Sequence, residues 1–111
     1  MAAYTIYPVD LTGDSKAYVV PASGDTFAND GNTFLHVKNA NAGTCTVTIA
    51  SQKPCDQGGT HPNVVVVAAT TGDEMIGPFN PARFNDASGN VVVTTYSVTT
   101  SVSVAAVRLP R

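Results

Sequence analysis

The sequence predicts an all-β protein: a single β-sandwich or jelly-roll-like domain of about eight short strands. Three observations lead there. No window repeats apolar residues at the i, i+3, i+4, i+7 spacing of a buried helix face. Short runs rich in Val, Ile, Thr and aromatic residues recur along the whole chain. Between them lie clusters of Gly, Asn, Asp and Ser, the residues that tolerate or promote tight turns.

The runs follow in order. "YTIYPV" (Tyr4–Val9) is a short first strand or arm, and Pro8 keeps it from a central place because it lacks an N–H. "KAYVVP" (Lys16–Pro21) is the second. In "TFLHVKN" (Thr33–Asn39), Leu35 and Val37 share one face, and Phe34, His36 and Lys38 the other. "CTVTIAS" (Cys45–Ser51) alternates most clearly, with Cys45, Val47 and Ile49 directed inward. "NVVVVAA" (Asn63–Ala69) is apolar on both faces, which predicts a central or covered strand. "DEMIGPF" (Asp73–Phe79), "NVVVTTYS" (Asn90–Ser97) and "SVSVAAVRL" (Ser101–Leu109) complete the set. The intervening "TGDS", "SGD", "NDGN", "NANAG", "TTGDE" and "ASGN" read as turns.

At 111 residues the chain has the length of one domain, with residues 1–10 as an extended N-terminal arm. A domain of this size buries roughly two-thirds of its unfolded surface, so it needs no metal or disulfide to fold. Charged residues make up 13% of the chain, about half the usual share, which suits a subunit that packs against another protein. The net charge is −2 and the basic residues are scattered, so no cationic footprint for nucleic acid exists. "MAAYTIYPVD" has neither the basic nor the apolar region of a signal peptide. The longest apolar run, Val64–Ala69, is far short of a membrane span.

No catalytic, cofactor or metal site is expected. Cys45, Cys55, His36 and His61 lack a tight Cys-x-x-Cys knuckle. They read instead as a buried Cys, a loop Cys and surface His residues. A Cys45–Cys55 disulfide stays geometrically open, although free thiols are expected in a protein made in the cytosol. Asp56, His61 and nearby Ser51 or Cys55 lack anything that would orient a base against a nucleophile. The adjacent carboxylates Asp73 and Glu74 point to opposite faces of a strand and cannot share a substrate.

"GPFNPARFND" (Gly77–Asp86) differs from its surroundings in carrying two Phe, two Pro and an Arg. Pro78 and Pro81 should take the chain out of the ladder, with the Phe side chains plugging one end of the sandwich. Arg83 would reach a backbone carbonyl or an acid such as Asp86. The same corner is a candidate partner surface, because aromatics and Arg are enriched at interfaces.

Four segments, "GDTFANDGNTFLHVKN", "SQKPCDQG", "MIGPFNPARFNDASGNVVVTTYS" and "SVSVAAVRL", cover most of residues 24–109. In order and spacing they resemble the small all-β capsid decoration, or cement, proteins of tailed bacteriophages. "NDGNTFLHVKN" and "IGPF" followed by "RFND" are the most specific parts, and the segment before Asp25 is the least similar. The resemblance implies a virion structural protein, made in the host cytoplasm and bound to the outside of the phage head. Its partners would be the major capsid protein and itself, with a homotrimer as one arrangement. The expected contact residues are Tyr4, Ile6 and Tyr7 on the arm, Phe79, Arg83 and Phe84 at the proline corner, and Arg108 and Arg111 in the tail. The alternatives are a carbohydrate- or receptor-binding sandwich, or a tail or neck component. The spread of Tyr4, Tyr7, Tyr18 and Tyr96 and the lack of Trp weigh against sugar.

Overall fold

A computed structural model describes residues 3–13, 17–53 and 61–109. Among the described residues, eight short strands form two packed four-stranded sheets. They are β1 (Ile6–Pro8), β2 (Thr26–Ala28), β3 (Thr33–Asn39), β4 (Cys45–Ile49), β5 (Asn63–Val67), β6 (Gly72–Ile76), β7 (Asn90–Tyr96) and β8 (Val102–Arg108). The first sheet runs β1-β8-β3-β6 and the second β2-β7-β4-β5. The pairing is nested: β1 with β8, β2 with β7, β3 with β6 and β4 with β5. The β1–β8 pair is parallel and the other three are antiparallel.

The alternation read from sequence holds where one face is buried. Cys45, Val47 and Ile49 of β4 are buried and Thr46 and Thr48 are half-buried. Leu35 and Val37 of β3 face a core that also holds Phe27, Val91, Val93, Val102 and Val104. In β7 the register against β4 shifts between Thr48 and Ile49, and the adjacent Thr94 and Thr95 are both exposed. A bulge of this kind breaks strict alternation.

Two expectations are corrected, and one strand was not anticipated. Lys16–Pro21 is not a continuous strand: among its described residues only Val19 bridges, to Val104. The free edge of β8 is shared, because Ile6–Pro8 already takes Ala106–Arg108. A second strand forms instead at Thr26–Ala28, too short to show a period, and buries Phe27. Lastly, Asn63–Ala69 is neither central nor covered. Its paired part, β5, is an edge strand, with Val64 and Val66 more than half exposed.

The proline corner contains one helical turn, α1 (Pro81–Phe84). Asn80 caps it, its Oδ1 accepting from the Ala82 N–H at 2.9 Å, and Pro81 occupies the first helical position, where a missing N–H is harmless. The Phe79 ring lies 5.6 Å from Phe27 and 5.2 Å from Phe84, and both corner rings are buried. They close this end of the sandwich.

Candidate interaction surface

The expected contact residues divide into core and surface. Tyr4 is buried: its hydroxyl lies 2.8 Å from that of Tyr96, while its backbone N–H donates to the Thr26 carbonyl. Asp25, itself buried, accepts the Ala22 N–H at 2.8 Å. Burial, followed by the neighbouring Tyr96, pushes the Tyr4 phenol far above its ordinary pKa, and burial raises Tyr96 as well. Ile6 and Tyr7 are half-buried in β1, whose backbone is bonded to β8 of the same chain. The arm is thus a structural part of the sandwich, clipped to both sheets, and Tyr4 is not available as an anchor for a neighbour.

Phe79 and Phe84 are likewise core residues, which leaves Arg83 as the exposed member of the corner. Its Nη2 donates to the His61 carbonyl at 3.1 Å, and its guanidinium lies 4.6 Å from the Phe84 ring centre. Arg108 is exposed at the end of β8 and lines a hollow of about 150 Å³ with Ile6 and Asp30. Arg111, Cys55 and Asp56 lie outside the described residues.

Four of the eight large apolar side chains that stand exposed among the described residues, Val9, Leu11, Val19 and Val20, lie on the N-terminal segment. Leu11 is fully exposed, Val20 is 71% exposed, and Val9 and Leu109 are each nearly half exposed. Val9 continues the β1–β8 register, its N–H donating to the Arg108 carbonyl at 2.9 Å, so it lies beside Leu109. The sequence reading placed its anchors on Tyr4, Ile6 and Tyr7 and passed over these aliphatic residues. The missed signal was Leu11 inside turn chemistry, "DLTG", where no strand face could bury it.

On the outer face of the first sheet His36 is buried, contrary to the surface position expected for it. Tyr18 covers it: the Tyr18 hydroxyl and His36 Nδ1 are 2.5 Å apart, and Nε2 meets Asp73 Oδ1 at 2.5 Å. A carboxylate only accepts, so in the neutral ring Nε2 carries the proton and Nδ1 accepts the Tyr18 O–H. Lys38 Nζ sits 4.0 Å from the centre of the Tyr18 ring.

Beside this cluster three turns meet around a hollow of about 250 Å³, lined by Lys38, Asp73, Thr70, Thr71, Ser101 and Ser103 among others. Asn39 and Asn41 tie the turns together through the Ala68, Gly43 and Thr100 carbonyls. Thr70 and Ser101 have φ of 69° and 61°, a left-handed conformation rare for any residue but Gly and especially for a β-branched one.

Comparison of the chain with known protein families, with curated proteins and with solved structures finds no match.

Proposed function

We propose that this chain is a virion structural protein, a capsid decoration protein that binds the outside of a phage head and bridges capsid subunits. The carrying observation is the exposed aliphatic side chains along the free edge of β8, with Val9 and Leu109 at one end, Val20 at the other and Leu11 in the turn that follows Val9. Exposed Val9 and Val20 beside backbone bonded to β8 provide contact area with little ordering cost on binding. Arg108 adds a cation at the same end of β8. The sequence resemblance supports the assignment independently.

The nested strand order supports reading the sandwich as a jelly roll, the double Greek-key architecture found in viral capsid and lectin domains. In this reading the protein does no chemistry. It is made in the host cytoplasm and acts by linkage. A protein that binds only the assembled lattice stabilises it by about 2.7 kcal/mol per site at roughly a hundredfold excess over Kd. Bridging several subunits adds avidity.

The test is co-sedimentation with undecorated heads. Deleting residues 1–8 would be uninformative, because it removes Tyr4 and β1 from the fold. Leu11→Asp and Val20→Asp alter exposed side chains and should abolish binding while leaving the melting temperature unchanged. Binding equal to the parent's by both variants would refute this surface. Failure of the intact protein to bind heads would refute the capsid assignment.

The hollow favours a second reading, a carbohydrate- or receptor-binding module. It presents hydroxyls, Asp73 and Lys38 together, and left-handed non-glycine residues concentrate at ligand sites. The tyrosines do not support it: Tyr4 and Tyr96 are buried and Tyr18 packs on His36. A glycan array signal lost in Thr71→Ala/Ser103→Ala would favour this reading over the first.

A further inference from the structure

The two sheets differ in charge. The first contains Lys38, Asp73, Glu74, Arg108 and His36. The second, β2-β7-β4-β5, contains no charged residue at all. One of its edges is protected, since Ala3 bridges to Thr26 in β2. The other edge is β5, which among the described residues pairs with β4 alone.

An edge strand with unpaired N–H and C=O groups is a template for another strand. Edges are ordinarily blunted by Lys, Pro, a bulge or shortness. β5 has none of the first three: its sequence is Asn-Val-Val-Val-Val, and its five pairs with β4 run without a register shift. Val64 and Val66 stand exposed on the outer face beside half-buried Thr46 and Thr48.

We propose that β5 pairs antiparallel with β5 of a second copy, about a two-fold axis at Val65, joining the two uncharged sheets into one. In that register Val65 opposes itself and Val64 opposes Val66 of the other copy. Directly opposed residues in an antiparallel pair point to the same face, so both exposed valines of each copy gain an apolar cross-strand neighbour. The patch is its own complement, as a two-fold interface requires.

Charge supports a second copy as the occupant. The start of β5 is a basic end: Arg83 donates to the His61 carbonyl and accepts the Gln52 N–H through its own carbonyl, with Lys53 next in sequence. The end of β5 is an acidic end: the turn after Val67 leads at once to exposed Asp73 and Glu74 of β6. Antiparallel pairing sets the basic end of one copy against the acidic end of the other. Among the described residues, two chains of net charge −2 thereby meet with opposite charges facing each other.

This proposal is independent of the capsid assignment and uses the opposite edge of the molecule. Sedimentation equilibrium of the full chain tests it. The parent should shift with concentration from 11.4 kDa toward twice that mass, and Val64→Lys/Val66→Lys should stay monomeric with an unchanged far-UV spectrum. Hydrogen exchange on the parent provides a readout that needs no variant. Amides of residues 63–67 should slow by about tenfold or more between dilute and concentrated samples. A parent monomeric up to about 1 mM would overturn the proposal, as would a trimer. So would a dimer that survives both lysines, or concentration-dependent protection confined to other strands.

Discussion

The hydroxyls of Tyr4 and Tyr96 meet at 2.8 Å in the core, joining a residue near the start of the chain to the end of β7. The buried Asp25 carboxylate nearby adds to the rise in the Tyr4 pKa. Each hydroxyl is the other's buried hydrogen-bond partner, with either able to donate. Tyr4→Phe would leave the Tyr96 hydroxyl short of its buried partner. A loss of about 1–3 kcal/mol is expected by urea unfolding. Tyr4→Ala should cost more, about 3–5 kcal/mol, because the cavity adds to the lost bonds.

The same pair sets an alkaline limit. Both phenols have folded pKa values raised above the ordinary 10.0. Below that value both the folded and the unfolded chain keep these protons. Above it the unfolded chain releases them while the folded chain holds them, so stability falls as pH rises. Urea midpoints should decline from about pH 10 upward. Tyr4→Phe/Tyr96→Phe should flatten that decline.

His36 fastens the N-terminal segment to the first sheet through Tyr18 on one side and Asp73 on the other. His36→Ala should cost about 2 kcal/mol and speed hydrogen exchange at Tyr18 and Val19. The Asp73 side chain is 57% exposed, so Asp73→Asn should cost under about 1 kcal/mol. Equal losses from the two variants would contradict the assignment of His36 as the buried member of the pair.

Gly72 begins β6 with no space for a side chain. A Cβ there would lie 2.0 Å from the Ala68 carbonyl oxygen and 2.7 Å from Val67 Cγ1. Backbone must move to admit it, and Gly72→Ala should cost at least about 2–3 kcal/mol. At Gly43 the nearest atom would be Asn41 Oδ1 at 3.7 Å. Gly43→Ala should therefore be neutral or stabilising by up to about 1 kcal/mol, through a less flexible unfolded chain. Thermal melts of the two variants make the comparison.

Cys45 is a buried free thiol whose Sγ lies 3.4 Å from the Val98 carbonyl. Cys45→Ser retains a donor to that carbonyl but buries a more polar group, and a loss of about 1–2 kcal/mol is expected. Cys45→Val loses the donor and adds bulk in a closed core. If it proved more stable than Cys45→Ser, the Val98 contact would be worth less than the hydrophobic gain.

The sequence by itself determined the elements whose causes are local. Alternation over Cys45–Ile49 assigned inward and outward faces, because side chains alternate along any strand whatever it pairs with. Asn80-Pro81 and the two flanking Phe carried the helical turn and plugged corner in their own chemistry, although the helical turn itself was not anticipated. Tertiary structure decided everything that depends on competition between distant segments. Residues 6–8 and Val19 both seek the edge of β8, and the division between them left the described part of Lys16–Pro21 without a continuous partner. Asn63–Val67 reads like an interior strand because four valines in a row carry no period. Only its position at the end of the sheet exposes two of them. Burial of His36 likewise depended on Tyr18 folding over it, and burial of Tyr4 on the arrival of Tyr96 from β7. Local sequence sets which face of a strand is apolar, whereas its exposure is set by whatever else packs there.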